Sequence, residues 1–156
     1  MNTPQASPVA APAPVALTGP TAQLVLRSFF ALLLVVTGMA KLLNMPGFYP
    51  VIDSYLVLPG ALVPAAAWGL AIGELLLAAW LVSGVRLQHA AGAVVILHTL
   101  FMAWLLVALA RGLELSNCGC FGAYFARPLK WFTPLEDATL VAIALWFWVT
   151  CARRAD

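Results

Sequence analysis

The sequence predicts an all-α integral membrane protein: a bundle of four transmembrane helices with two longer interfacial loops on one face. Composition predicts it first. Charged residues make up only 9% of the chain and apolar ones 63%, with a mean hydropathy of +0.97. A soluble domain carries about 25% charged residues, so this chain cannot cover a water-facing surface and most of it must be solvated by lipid. Length and pattern predict it next. The 156 residues suffice for one domain and not two. Four stretches reach the roughly 20 apolar residues that a helix needs to cross a bilayer core.

Residues 1–21 hold five of the eleven prolines and no charged side chain. Such a stretch cannot propagate a helix and has little to bury, so a disordered Pro/Ala-rich tail is expected. It lacks the basic start and unbroken apolar run of a signal peptide, so insertion is expected to be directed by the first span. The membrane domain then covers residues 22–156. Its first span runs about Ala22 to Leu43 and its second about Gly60 to Ser83, with Pro64 tolerable in the first turn. The third runs about Arg86 to Ala110 and the fourth about Pro134 to Ala152. Thr133, Pro134 and Glu136 read as N-cap, N1 and N3 of a capping box. Glu136 and Asp137 suit the positive end of that helix and are expected to be helix-start residues rather than catalytic acids.

Gly84 and Val85 make a tight hairpin between the second and third spans. Residues 44–59 and 111–132 are longer and rich in aromatic rings, which prefer the membrane surface. With four spans these two loops share one side and can form a cap, while the termini and the hairpin share the other. Arg27, Arg86, Arg153 and Arg154 lie on the hairpin side; Lys41, Arg111, Arg127 and Lys130 lie on the cap side. The count ties. Discounting Lys41 and Arg111, which sit at helix ends, puts the termini in the cytoplasm and the cap outside. The net charge of +2 comes without a basic run, so the composition points to the lipid bilayer and to no nucleic acid.

The chemistry is expected in Asn117-Cys118-Gly119-Cys120-Phe121-Gly122. Two cysteines one residue apart can approach disulfide distance, with Gly119 supplying backbone freedom. So small a ring is strained, and strain makes a disulfide a readier oxidant, as suits an exchange catalyst. Arg111 is near in sequence, and a neighbouring cation lowers a thiol's pKa. Two other readings stay open: incidental small residues in a loop, or half of a metal site. One Cys-x-Cys supplies two ligands where a structural zinc site takes four, and the loop has no histidine or third cysteine. Cys151 falls some 17 residues into the fourth span, about 25 Å from its start, and reads as an apolar filler on the other face.

Ionisable residues inside a membrane are functional candidates. Glu74 lies roughly 14 Å from the hairpin face and Arg27 roughly 8 Å from the same face, whereas Lys41 lies only about 3 Å from the opposite one. Helix arithmetic therefore prefers Arg27 over Lys41 as the partner of Glu74. The pair reads either as a structural lock between the first two spans or as part of proton or cofactor handling. His98, near the middle of the third span, is either a neutral imidazole bonded to a neighbour or a proton relay or quinone ligand. Gly69, Gly73, Ala78, Ala91 and Gly92 are compatible with close helix contacts.

Arg27, the run Gly38-Met39-Ala40-Lys41, Phe48, Tyr55, Leu58-Pro59, Glu74 and the stretch Cys118-Gly119-Cys120-Phe121-Gly122 together resemble the MauE family, the methylamine-utilisation membrane proteins within the wider DoxX-like group. The likeness covers about residues 22–152, and the CGCFG stretch between the third and fourth spans is its specific part. The resemblance implies a four-helix bundle associated with thiol redox chemistry outside the bacterial inner membrane. It implies a part in maturing the disulfide-rich small subunit of methylamine dehydrogenase, with an extracytoplasmic thioredoxin-like partner. Carried onto this chain, the redox pair is Cys118 and Cys120, and Lys41 and Glu74 match characteristic family positions.

The leading expectation is thus an inner-membrane thiol–disulfide redox protein or maturation factor, acting on a disulfide-containing client through that partner. No cofactor is fixed. A quinone between the helices is a candidate electron acceptor by analogy with other four-helix disulfide-forming membrane enzymes, although those carry two cysteine pairs and this chain has one. The alternatives are a membrane transporter of a soft metal ion or small molecule, with the thiols collecting the ion, and a non-catalytic membrane assembly factor.

Overall fold

A computed structural model describes residues 19–153, so the expected tail lies outside the described residues except for its last three. Helix α1 (Pro20–Leu43) starts on Pro20, whose missing N–H costs nothing in the first turn, and ends beside Lys41. Asn44 breaks the chain direction and caps the next helix, α2 (Met45–Asp53), by accepting from the Gly47 N–H at 3.1 Å. This short helix forms where the sequence predicts a surface loop. Pro46 falls in its first turn, where proline is tolerated, but Pro50 in its interior argues against a helix on propensity alone. Burial overrides it: Met45 and Phe48 pack on Ala67 and Ala71.

A 3-10 turn (Gly60–Leu62) leads into α3 (Val63–Ser83), which ends on Gly84 in the left-handed region at φ +71. Helix α4 (Leu87–Ala110) stops in a Schellman motif, with Leu113 N–H donating to Ala108 O and Gly112 N–H to Leu109 O around Gly112 at φ +67. Helix α5 (Thr133–Ala152) follows the 111–132 segment. Its start differs from the expected capping box. Phe132 occupies the cap position without a side-chain bond, and the Thr133 hydroxyl accepts instead from the Lys130 N–H at 3.1 Å.

Among the described residues the architecture is all helical, and four helical segments, Pro20–Leu43, Gly60–Ser83, Leu87–Ala110 and Thr133–Ala152, are long and apolar enough to cross a membrane. Their outward faces carry large exposed apolar side chains such as Leu32, Leu76, Val82, Ile96 and Leu100, a pattern stable only in lipid. Helix α1 packs along α3, and α4 along α5. Gly38 permits the first contact: a Cβ there would sit 3.0 Å from Leu75 and 3.1 Å from Ala71 O. By contrast, Gly69 and Gly73 face open space.

The hairpin half of the bundle has a continuous core built from Phe30, Leu34, Leu81, Val94, Ala144 and Phe147. Helices α3 and α4 meet there, in Leu77, Ala78 and Leu81 against Ala90, Ala91 and Val94. Toward the cap they part, leaving a wedge-shaped cavity of about 520 Å³.

Candidate redox site

The 111–132 segment is pinched into a closed loop by two backbone bonds, Cys118 N–H to Arg127 O at 2.8 Å and Leu129 N–H to Leu115 O at 2.9 Å. Asn117 braces its tip, donating from Nδ2 to Gly122 O and accepting from the Gly119 N–H, both at 2.9 Å. Gly119 and Gly122 stand at φ +76 and +66. Both are needed for space as well as for backbone conformation. A Cβ on Gly119 would lie 2.9 Å from Val51, and one on Gly122 would lie 2.9 Å from Ala40 O and 3.0 Å from Lys41 Cα. The loop is therefore pressed onto α2 and onto the end of α1.

Two side chains from below hold the cysteines by their carbonyls. The Tyr55 hydroxyl donates to Cys118 O at 2.7 Å, and Lys41 Nζ donates to Cys120 O at 2.9 Å. Burial, then the charge of the two cysteines, pushes the Tyr55 phenol up, so it remains a donor at any physiological pH. Arg111 was expected to act on the thiols. It instead donates to Tyr55 O at 3.0 Å and Leu56 O at 3.3 Å, and so fixes the ring that holds Cys118.

Cys118 and Cys120 are not bridged, and their sulfurs lie 3.2 Å apart in hydrogen-bond contact. The hydrogen bond from Cys120 brings Cys118 down to about 6, with further help from the Cys120 backbone N–H and the Arg127 cation. The same contact, together with burial, pushes Cys120 up. It thus favours the ionised form of Cys118 and disfavours that of Cys120.

Lys41, almost fully buried, pairs with Glu74, which is fully buried, at 2.8 Å to Oε1 and 2.9 Å to Oε2. This corrects the expected Arg27–Glu74 pair. Counting depth inward from helix ends assumes that the ends are level. Here α1 stops beneath the cap, and the Gly38 contact with Ala71 and Leu75 sets its last turn beside Glu74. Arg27 lies one end of the bundle away. Its guanidinium packs on Gly84 and donates to Val82 O, where a cation suits the negative end of α3.

His98 is buried, with Nδ1 3.0 Å from Val94 O and its ring edge-on to Phe30 and Phe101. It does not line the cavity. Cys151 packs in the hairpin-side core with Leu26 and Phe147, far from the cap.

Asp137, expected only as a helix-start acid, is the residue whose place beside the thiols the sequence does not reveal. Neighbouring Glu136 is exposed and pairs with Arg127 at 2.8 Å, as a helix-start acid should. Asp137, one residue on and about 100° around the helix, is buried, and its Oδ2 has no hydrogen-bond partner among the described residues. Its charge opposes ionisation of Cys118, Cys120 and Tyr55, as the smallest contribution at Cys118, whose pKa is lowered overall. Sequence could have flagged it only through its place one turn below the loop.

The cavity lies directly under this assembly. Its walls come from α2 (Phe48, Val51), Tyr55 just beyond it, α3 (Ala66, Leu70), α4 (Leu97, Leu100, Phe101, Trp104) and the Cys118-Gly119-Cys120 stretch, with Lys41 also lining it. Among the described residues no cluster of three or more His, Cys, Asp or Glu forms.

The sequence profile described as "Methylamine utilisation protein MauE" matches residues 20–150. The chain belongs to the MauE family. Relatives agree: it is 34% identical over 120 residues to the "Methylamine utilization protein MauE" of Paracoccus denitrificans and 32% identical over 120 residues to that of Paracoccus versutus. Each match takes in 77% of this chain and spans 64% of the length of the curated relative. No solved structure matches. The MauE match and the four apolar helices together make this a multi-pass membrane protein.

Proposed function

We propose that this MauE-family chain is a thiol–disulfide redox protein of the bacterial inner membrane. In this reading Cys118 and Cys120 exchange electrons with an extracytoplasmic thioredoxin-like partner that serves a disulfide-containing client. The relatives' names support methylamine utilisation as the setting, and in this reading the disulfide-rich small subunit of methylamine dehydrogenase is the client. The cap faces outward and the Gly84–Arg86 hairpin faces the cytoplasm.

The observation that carries the proposal is the pair of unbridged cysteines with sulfurs 3.2 Å apart, in a contact that lowers the pKa of Cys118 and raises that of Cys120. Exchange requires a thiolate that forms readily and leaves readily. When the pair is oxidised, a partner thiolate attacks the half-buried Cys120 sulfur. The Cys118–Cys120 bond breaks, and Cys118 leaves as the stabilised thiolate. The partner's second thiolate then attacks the partner sulfur of the mixed disulfide. Cys120 is expelled and takes up a proton, and the partner gains a disulfide. Each step runs backward with the same groups.

Replacing each cysteine singly by serine tests this. Cys118→Ser should trap a mixed disulfide through Cys120 in intact cells, visible as a thiol-reducible adduct. If neither single variant captures a partner and both support client maturation, the thiols are not the working groups. Alkylation of Cys120 by a membrane-impermeant maleimide added outside the cells tests the orientation.

A further inference from the structure

We infer that the cavity beneath the cysteine pair is a binding site for a lipid-soluble benzoquinone, which takes electrons directly from Cys118 and Cys120. The inference rests on the redox reading above and names where its electrons go.

The first observation is what lines the cavity. About 520 Å³ falls within the roughly 300–1,000 Å³ of small-molecule sites. Its walls are almost wholly apolar, with Phe48, Phe101 and Trp104 offering flat ring faces. The reactive exceptions are the cysteine pair. The second observation is where it opens. The lining residues Val57, Leu100 and Val107 are themselves substantially exposed. Leu100 and Val107 belong to a helix whose outer face meets lipid, so the cavity is reached from the hydrocarbon. A ligand with a flat redox ring and a long apolar tail fits both features, the ring inside and the tail in the bilayer. The third observation is position: Cys118 and Cys120 both line the cavity, whereas Cys151 is packed in the core at the hairpin end. An acceptor of two electrons and two protons in the cavity therefore meets the pair itself.

The step balances with a quinone as the oxidant. The Cys118 thiolate adds to the quinone ring, forming a carbon–sulfur bond. Cys120 loses its proton and attacks the Cys118 sulfur, making the disulfide and breaking the carbon–sulfur bond. The ring leaves with the electron pair and, with the two thiol protons, becomes a quinol. Two thiols are oxidised and one quinone is reduced. Partner dithiols then regenerate the pair, so net flow runs from the partner to the membrane.

The test uses the full chain in lipid nanodiscs, reduced and freed of reductant, with decylubiquinone as the probe. We expect one quinol per chain, read by quinone ultraviolet absorbance, and a mass loss of two hydrogens between Cys118 and Cys120. Ala66→Phe and Ala103→Phe, which fill the cavity from α3 and α4 separately, should each slow quinol formation at least tenfold. Disulfide exchange with a thioredoxin-fold protein should persist in both. An azidoquinone should label the 97–107 peptide of the unmodified chain, a readout independent of either variant's folding. If exchange with the thioredoxin-fold protein proceeds but decylubiquinone is not reduced, the quinone inference fails and the redox reading stands. Reduction untouched by both filling variants, with labelling elsewhere, also overturns the site. If the pair exchanges with no thioredoxin-fold protein, the redox reading itself has failed.

Discussion

The Lys41–Glu74 pair makes the sharpest energetic test of this structure. Lys41 Nζ has three protons, and three strong acceptors surround it: Glu74 Oε1 at 2.8 Å, Glu74 Oε2 at 2.9 Å and Cys120 O at 2.9 Å. Both side chains are out of solvent, at 1% and 0% exposure. Removing one partner strands the other charge, which costs about 3–5 kcal/mol in a buried pair. Lys41→Met additionally leaves Cys120 O without its donor, for about 1 kcal/mol more. Replacing both charges by methionine removes the stranded charge, and apolar replacement of a buried pair is often neutral. The double variant should therefore lie within about 1–2 kcal/mol of the parent, because beyond the pair itself only the Cys120 bond and a long one to Thr37 O are lost. The cycle then returns a coupling energy of about 3 kcal/mol or more, against a few tenths for independent sites. Arg27→Met is the control: a cation at a helix C-terminus is worth about 0.3–1 kcal/mol. Unfolding by sodium dodecyl sulfate in mixed micelles, followed by far-ultraviolet circular dichroism, measures all four. If Lys41→Met and Glu74→Met are additive, or if Arg27→Met costs as much as either, the pairing described here is wrong.

Three further outcomes are expected at the cap. Iodoacetamide should alkylate Cys118 with a midpoint at about 6, reactivity rising as pH climbs through it; Cys120→Ala removes the hydrogen bond that lowers it, so the midpoint should move up. Gly122→Ala should destabilise the cap by more than the roughly 1–2 kcal/mol of a left-handed side chain, since its Cβ would also press on α1 backbone at 2.9 Å; faster proteolysis within residues 111–132 would report it. Asp137→Asn removes a negative charge that opposes both thiolates, so the Cys118 midpoint should fall, and an unmoved midpoint would show that Asp137 is electrically remote.

The spans are legible because lipid imposes a single length and a single chemistry on them, so a run such as Leu87–Ala110 announces itself. Helix α2 is not, because its stability comes from Met45 and Phe48 docking on α3 while Pro50 in its interior argues locally for a loop. The cysteine pair is readable from its spacing, but the groups that tune it are not. Arg111 is nearer than Arg127 to the start of the loop, yet the Cys118–Arg127 backbone bond makes Arg127 the acting cation. Glu136 and Asp137 look alike as helix-start acids. One residue of helical rotation sends the first to solvent and the second under the loop. In each case the deciding contact is non-local, and only packing reveals it.

The same packing removes the apparent divide between the charges in the membrane and the thiols at its surface. Lys41 binds Glu74 with one side of its ammonium group and Cys120 O with the other, while Gly122 rests on the backbone of Ala40 and Lys41. A buried ion pair is seldom kept for stability alone, since apolar side chains do as well. Here it has a positional use. Glu74 holds the lysine in one rotamer, and the lysine holds the carbonyl between the two glycines of the loop. The thiols, 3.2 Å apart, are thus braced from below by the paired charges. The Lys41→Met/Glu74→Met double variant separates these roles, because it should recover stability without recovering the depressed Cys118 midpoint.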